Sequence, residues 1–297
     1  MTIVNIGSIN RDLIFKVPHF PVAGETITVE SCASGLGGKG LNQSIAIARA
    51  GGTVIHAGAV GEDGMQLLEQ IEKLGVNIDA ISVLSEFDTG LANVFVDHSG
   101  DNAIVISAGA NAGIPDAPLI EVLKQVGSGN WLLFQNEVTL SEEIIVEAKK
   151  NGLKIAYCAA PFDSETVSPL LKHIDVLSVN EIELEQLNQH CPEELAACQF
   201  DLLVTLGDRG AYFRAGEVTT RVDSHRVSVV DTTGAGDTFL GYFLAHYTNG
   251  VDVASCLEIA NRAAAIQVTR LGAADSIPTA AEVDAFASKY ASNESVV

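Results

Sequence analysis

The chain is expected to form an α/β fold with a mainly parallel central sheet and a small separate β-sheet. Three observations lead there. Between about residues 131 and 206, short apolar runs alternate with helical ones, the pattern of a parallel sheet covered on both faces. Earlier in the chain, segments that alternate apolar and polar residues look half exposed and do not fit a doubly covered sheet. Two glycine-rich stretches, Gly35 to Gly40 and Gly234 to Gly236, each lead into a helix.

The totals narrow the function. A length of 297 residues, 47% of them hydrophobic, suits one large α/β domain or two small ones, with ample material for a core. A formal charge of −21 argues against nucleic acid or anionic lipid as a partner, and an anionic substrate would need a local positive pocket. The five cysteines, Cys32, Cys158, Cys191, Cys198 and Cys256, are odd in number and contain no C-x-x-C pair. A disulfide framework or zinc site is therefore not expected, and the thiols read as reduced and mostly buried. Met1 to Gly7 reads as a core strand without a basic leader or long apolar run, which predicts a cytoplasmic protein without a membrane span.

In order, Ile3 to Gly7 is a short strand, and Asn10 and Asp12 follow at its carboxyl end, where open α/β sheets build their sites. Leu13 to Val17 and Thr26 to Glu30, around Pro18, Pro21 and Gly24, read as half-exposed antiparallel strands of an appended flap. Gly35-Leu36-Gly37-Gly38-Lys39-Gly40 reads as a flexible turn into an Ala-rich helix from Leu41 to Ala50. Val54 to Val60 is a strand, Gly61 to Gly64 a turn and Met65 to Leu74 a helix. Leu91 to Asp97 and Asn102 to Ser107, joined across His98-Ser99-Gly100-Asp101, form a hairpin that completes the flap.

The regular part then runs strand Trp131 to Phe134, helix Ser141 to Asn151, strand Leu153 to Cys158, helix Thr166 to His173, strand Asp175 to Val179, helix Glu181 to Gln189 and strand Asp201 to Leu206. Polar residues recur just past these strand ends: Gln135, Asn136 and Glu137; Asn180 and Glu181; Thr205, Gly207, Asp208 and Arg209. Tyr212 to Arg214 and Val218 to Val222 form a second hairpin, and Ala254 to Thr269 and Ala280 to Lys289 are closing helices. No repeat or linker divides the chain, so one domain with an inserted flap is the simplest partition.

Asp231-Thr232-Thr233-Gly234-Ala235-Gly236-Asp237-Thr238-Phe239 carries the chemistry. It lies between the extended run Val227 to Val230 and a helix from Thr238 to His246. Small residues let main-chain N–H groups curl toward one point, and the helix start adds unpaired donors and a positive dipole end. That is an anion cradle. Asp231 and Asp237 bracket it, and a carboxylate beside a phosphate cradle suggests that Asp237 takes a proton from an attacking hydroxyl during phosphoryl transfer.

The earlier stretch imitates another motif. Gly35, Gly37 and Gly40 satisfy G-x-G-x-x-G, with Glu62 about twenty residues on, as a dinucleotide-binding unit requires. The preceding run is polar on one face, whereas the first strand of such a fold is buried on both. Nor is it a P-loop, because Ala33 stands where that motif has Gly and Gly40 where it has Ser or Thr. It presents Lys39 and Asn42, suited to sugar hydroxyls and a phosphate edge.

Taken together, Gly37-Gly38-Lys39-Gly40-Leu41-Asn42-Gln43 and the 231–239 stretch resemble the two signatures of the ribokinase-like (PfkB) carbohydrate kinases. Gly7 to Asp12, Pro21 to Thr26, Ala108 to Ala112, Asn180-Glu181 and Thr205 to Gly210 resemble further segments of that family in the right order, so the likeness spans nearly the whole chain. The resemblance implies a three-layer sandwich with a small β-sheet lid, inserted from about residues 13–36 and 91–107. It implies an ATP-dependent sugar kinase, with the 5-hydroxyl of D-ribose as the first expected acceptor and deoxyribose, fructose, other sugars or nucleosides as alternatives.

The roles that follow belong to the resemblance. Asp237 is the expected base, with Gly234, Ala235 and Gly236 as anion hole. Asn10, Asp12, Gly38, Lys39, Asn42 and Glu137 match sugar-binding positions; Asn180, Thr205, Gly207, Arg209, Gly210 and Asn261 match nucleotide positions. Asp231, Thr233, Gln267, Arg270, Gly272 and Ser276 match a loop that holds a monovalent cation, usually K+, mostly through main-chain carbonyls. Mg2+ would arrive with ATP, and the lid would pair two subunits into a homodimer. A catalytically weak sugar-binding protein on the same fold is disfavoured by the intact Asp237 and Gly234-Ala235-Gly236.

Overall fold

The computed structural model describes residues 1–99, 101–197 and 199–294, with the backbone alone for residue 102 and residues 289–294. Gly100 of the expected hairpin turn and Cys198 lie outside the described residues. The elements are β1 (Thr2–Ile6), β2 (Asn10–Lys16), β3 (Ser31–Gly37), α1 (Lys39–Arg49), β4 (Thr53–Gly61), α2 (Met65–Lys73), β5 (Asn77–Leu84), β6 (Gly90–Val96), β7 (Asn102–Ser107), α3 (Asp116–Val126), β8 (Trp131–Gln135) and α4 (Glu142–Lys150). After them come β9 (Lys154–Cys158), α5 (Ser164–Leu170), β10 (Val176–Asn180), α6 (Glu181–His190), α7 (Pro192–Ala197), β11 (Asp201–Thr205), β12 (Ala211–Ala215), β13 (Val218–Val222), α8 (Ala235–Tyr247), α9 (Val253–Gln267) and α10 (Ala280–Glu294).

Nine strands form the central sheet in the order β13-β12-β11-β10-β9-β8-β1-β4-β5. All neighbours pair in parallel except β11 with β12 and β12 with β13. Alternate residues of each strand feed two cores. Ile3, Leu133 and Leu203 pack under α1, α8 and α9, while Val4, Leu132 and Leu202 pack under α3, α4, α5 and α6. Apolar residues on both faces are why these short strands read as uninterrupted apolar runs. A Cβ at Gly241 of α8 would lie 2.4 Å from that of Ala46, so the glycine lets α8 cross α1 at close range.

The second sheet has the order β3-β2-β6-β7. β2 pairs antiparallel with β3 and parallel with β6, and β6 pairs antiparallel with β7, forming the expected hairpin. The expected strand Thr26 to Glu30 is not one, and the Gly35-Leu36-Gly37 part of the expected turn is strand. Lys16 pairs with Ser31 and Asn10 with Gly37, so the ladder lies five residues later. Beyond residue 17 the opposite side carries Pro18 and Pro21, which have no N–H to continue a ladder, so Thr26 to Val29 have nothing to pair with.

Three elements escaped the sequence reading. β5 is a half-buried edge strand whose Asp79 and Ser82 break its apolar run, α3 is an amphipathic helix that buries Leu119, Val122 and Leu123, and α7 is a short helix, Pro192–Ala197, that buries none of its side chains. Helix α8 also starts earlier than expected, at Ala235, which puts Asp237 in its first turn. Among the described residues, no helix is long and apolar enough to cross a membrane. Four cysteines are free thiols, Cys158, Cys191 and Cys256 buried and Cys32 exposed.

Candidate active site

Strand β1 ends at Ile6, and the chain crosses into the small sheet through Gly7 to Ile9. Gly38 caps α1 directly over this crossing with φ of 95°, and a Cβ there would sit 2.8 Å from the Ser8 carbonyl. Only glycine takes that backbone and that approach without strain. Lys39 begins the helix, its main-chain N–H donating 2.9 Å to Glu137 Oε2 and its Nζ lying 4.0 Å from Glu137 Oε1. The Ser8 hydroxyl also donates to Glu137, at 2.5 Å. Gln43 comes four positions after Lys39, about one helical turn, so Lys39, Asn42 and Gln43 share a face that meets the start of α8.

There the chain turns through Gly234, left-handed at φ 73°, and Asp237 follows as the third residue of the helix. Its carboxylate is 9% exposed; Oδ1 accepts from Gln43 Nε2 at 2.8 Å and Oδ2 from Asn42 Nδ2 at 3.2 Å. Burial pushes this carboxyl above its ordinary range, opposed by the Lys39 ammonium and by the hydrogen bond from Gln43. The Lys39 ammonium is in turn held well above its usual value, chiefly by Asp237 and against the effect of burial. The Ala235 N–H donates to the Thr232 carbonyl at 3.2 Å, whereas the second and third residues of a helix, here Gly236 and Asp237, have no intrahelical acceptor. A Cβ on Gly236 would meet nothing within 4 Å, so this end of the cradle faces open space.

Two cavities meet at this turn. The larger, of about 730 Å³, runs past the carboxyl ends of β10 and β11 and is lined by Asn180, Thr205, Gly207, Gly210, Asn261, Thr232, Ala235 and Gly236, with Val227, Ala264 and Val268 as apolar wall. That size and composition suit a small-molecule ligand. Asn261 donates 2.8 Å to the Asp223 carbonyl and so ties the loop after β13 to α9. Arg209 is not part of this lining; it is exposed and paired with Glu181. The smaller cavity, of about 170 Å³, lies between Asp12, Ile14, Val94 and Val96 of the small sheet and Asp231, Thr232, Thr233 and Gly272.

Asp12 is 8% exposed and its Oδ1 has no hydrogen-bond partner. Burial, reinforced by the Glu137 charge, pushes its pKa to about 7. Its carboxyl lies against Gly37, where a Cβ would come within 2.1 Å of it. Asn10 is also buried, its Oδ1 accepting 2.8 Å from Asn111 Nδ2. Asn42 Oδ1 is a further buried acceptor without a partner. Of these, Asp12 borders the smaller cavity, while Asn10 and Asn42 line neither cavity; Asp12 Oδ1 and Asn42 Oδ1 are buried acceptors with unused capacity.

The 231–276 loops close on themselves. Asp231 Oδ1 accepts from Thr233 N and Oγ1 at 2.9 and 2.6 Å, and Oδ2 from Gly272 N at 2.9 Å. Gln267 Nε2 donates to the carbonyls of Thr233 and Ala273 at 2.9 and 3.3 Å, and Ser276 Oγ to those of Gly272 and Ala273. Arg270 N–H donates 2.9 Å to the Gln267 carbonyl, and the Arg270 guanidinium pairs with Glu282. Asp231, Thr233, Gln267, Arg270, Gly272 and Ser276 are thus in one cluster beside the turn that carries Asp237.

Sequence reasoning gave no role to Gln43, Asn5, Ser8 and Asn111 behind the carboxylate, and it placed Gln135 just past its strand, whereas Gln135 is the last residue of β8; all five are buried and polar. It missed Glu183 as well, whose carboxyl is pushed up by burial and feels both Lys39 and Asp237. The available signal was a polar residue inside an otherwise apolar strand, as at Asn5 and Gln135.

Residues 2–280 match the family described as pfkB family carbohydrate kinase. A ribokinase of Schizosaccharomyces pombe is 34% identical, over 96% of this chain and 97% of that protein. A deoxyribokinase of Salmonella typhimurium is 30% identical, over 94% and 96%. Among solved structures, an Arabidopsis thaliana ribokinase complexed with ribose and ATP superimposes with a TM-score of 0.82 at 30% identity, covering 96% of this chain and 97% of that one.

Proposed function

This chain belongs to the pfkB family of carbohydrate kinases, and from that premise we propose that it transfers the γ-phosphoryl group of ATP to the primary 5-hydroxyl of D-ribose, giving ribose 5-phosphate. One observation carries the reading: the buried Asp237 carboxylate follows the turn that both cavities border, with Asn42 and Gln43 on it and Asp12 on the wall of the smaller cavity. The likeness to ribokinases, and to one solved with ribose and ATP, supports ribose as the acceptor.

In this reading the ring hydroxyls donate to Asp12 and Asn42 and engage Asn10, Gly38, Lys39 and Glu137, which presents the 5-hydroxyl to Asp237. ATP lies along Asn180, Thr205, Gly207, Gly210 and Asn261, with Arg209 at its mouth. In-line transfer follows as Asp237 accepts the hydroxyl proton while N–H groups of the 234–236 turn stabilise charge on the migrating phosphoryl. The proton leaves late in a loose transition state, so a carboxylate is base enough. Lys39 offsets the local negative charge.

Among the described residues, no group of three or more His, Cys, Asp or Glu side chains could hold a metal ion. Mg2+, which such sites bind through substrate phosphates, would come with ATP. A monovalent cation such as K+ would be held by carbonyls of Asp231, Thr233, Gln267, Arg270 and Gly272 with the Ser276 hydroxyl. The carbonyls of Thr233, Gln267 and Gly272 each accept one hydrogen bond and keep a second lone pair, so the donor set fits. Bound there, the cation would brace the turn that forms the anion hole.

We read the chain as one domain, 1–297, with the small sheet as a lid from about residues 13–36 and 91–107. Its strand β7 leaves Ile104, Val105 and Ile106 about half exposed, at 48, 59 and 52%, which supports a homodimer through the lid. The free thiols fit a cytoplasmic location. A coupled ADP-release assay across ribose, 2-deoxyribose, fructose and nucleosides tests the assignment. Ribose should give the highest kcat/KM; a preference for 2-deoxyribose would favour the deoxyribokinase reading, and no turnover with any sugar would reject kinase function.

A further inference from the structure

A line of buried amides runs from the middle of the central sheet to Asp237, and its direction is fixed at the far end. Asn5 Nδ2 lies 2.7 Å from the Gly40 carbonyl, which can only accept, so Asn5 must turn its nitrogen toward α1 and its oxygen toward Gln135. Gln135, facing that oxygen at 2.8 Å, must present its own nitrogen. The same nitrogen stands 2.7 Å from Gln43, which must therefore offer its oxygen there and its N–H groups to Asp237. Asn5 also donates to Ser44 Oγ, leaving the Ser44 hydroxyl proton for His56 Nδ1, 2.8 Å away; burial holds His56 neutral by pulling its pKa to about 4.

Each of these residues is buried, and the amide donors of Asn5, Gln135 and Gln43 all meet acceptors, while Gln135 Oε1 and His56 Nε2 are left without a hydrogen-bond partner. The space is shaped to it as well: a Cβ on Gly7 would fall 2.4 Å from Gln135 Oε1. Packing alone would not require this. A core position under α1 and α8 is satisfied by leucine at less desolvation cost, as at Leu133 two residues earlier on the same face of β8.

We infer that Gln135 is a positioning residue: held by Asn5, it keeps the Gln43 amide turned N–H first toward Asp237 and so fixes the direction of the reacting carboxylate. Without it, Gln43 loses the donor that fixes its oxygen and keeps only its contacts with Cys158 and Asp237, so the amide can turn and present its oxygen to a carboxylate oxygen, which repels it. The inference rests on Asp237 being the base, and the test separates the two claims.

The experiment is steady-state kinetics with ATP and ribose from pH 5.5 to 9 on the wild type, Gln135→Met, Gln135→Glu, Gln43→Met, Asp237→Asn and the Asp237→Asn/Gln135→Met double variant. Melting temperatures and calorimetric ribose affinities accompany each. Gln135→Met keeps volume but loses both donors; kcat should fall about 10- to 100-fold, the range of one hydrogen bond to a charged group, with KM for ATP near normal. Gln135→Glu, which turns donors into acceptors, should fall further. Lys39, Glu137, Glu183 and Cys158 also face Asp237 and stay in place in every variant. The acid limb of kcat should therefore move to higher pH by up to about one unit as the Gln43 donation is lost.

In the Asp237→Asn background, Gln135→Met should change kcat less than twofold. If Asp237→Asn is inactive but Gln135→Met leaves both kcat and the acid limb in place, Gln135 only fills the core and the inference is wrong. Near-normal turnover in Asp237→Asn would instead remove the base reading itself. Should Gln135→Met melt too low to assay, Gln43→Met gives the same readout one link nearer.

Discussion

Ribose binding should depend on pH through Asp12. Its carboxyl is raised from an ordinary 3.8 to about 7 by burial and by Glu137, and one of its oxygens has no partner. If sugar hydroxyls donate to the ionised form, the apparent Kd scales inversely with the ionised fraction. With a pKa of about 7, that factor is about 11 at pH 6, about 2 at pH 7 and about 1.1 at pH 8, so affinity should rise about tenfold across the range. The same shift acts on folding. Folding raises this pKa, so the folded chain holds the proton more tightly; the stability from it is full below the unfolded value and lost as pH rises through about 7. The whole loss is on the order of 4 kcal/mol as an upper bound. Ribose should return part of it, so the melting-temperature gain on adding ribose should be larger at pH 8 than at pH 6. Calorimetry of ribose without ATP at pH 6, 7 and 8, on the wild type and Asp12→Asn, measures this. The variant should bind weakly with a flat profile. A flat wild-type profile, or an Asp12→Asn profile that still rises tenfold, would refute the assignment of Asp12 as the titrating acceptor.

Other perturbations probe the remaining parts of the site. Asp237→Asn should lower kcat by roughly 10²- to 10⁴-fold while ribose still binds calorimetrically, because the amide keeps the shape and loses the base. Lys39→Ala should raise KM for ribose or ATP, since its ammonium is the cation held between Asp237 and Glu137; unchanged kinetics would remove it from the site. Gly234→Ala should lower both kcat and melting temperature, since φ of 73° is strained for alanine and its Cβ would stand 2.9 Å from Gln267 Nε2. Replacing K+ by a large organic cation such as tetramethylammonium should reduce kcat without altering the fold, as judged by circular dichroism.

What the sequence revealed and what it hid follow one physical division. Strands such as Trp131–Gln135 and Asp201–Thr205 were legible because burial on both faces leaves an unbroken apolar run, and their helices because glycine and capping residues mark their ends. The strand Ser31–Gly37 was hidden because its residues are small for a non-local reason: Gly37 must lie against the Asp12 carboxyl, which only the β2–β3 register reveals. The site divides the same way. Asp237, Lys39 and Asn42 stand in the first turns of helices that glycine-rich stretches open, and such stretches are local signals that advertise themselves. Asn5 and Gln135 are 130 residues apart in sequence and meet only because β1 and β8 are neighbours in the sheet. No local pattern distinguishes a buried glutamine that orients a carboxylate from one that caps a strand. That distinction lies in which amide atom faces which, and it becomes readable only where a main-chain carbonyl such as that of Gly40 allows a single answer.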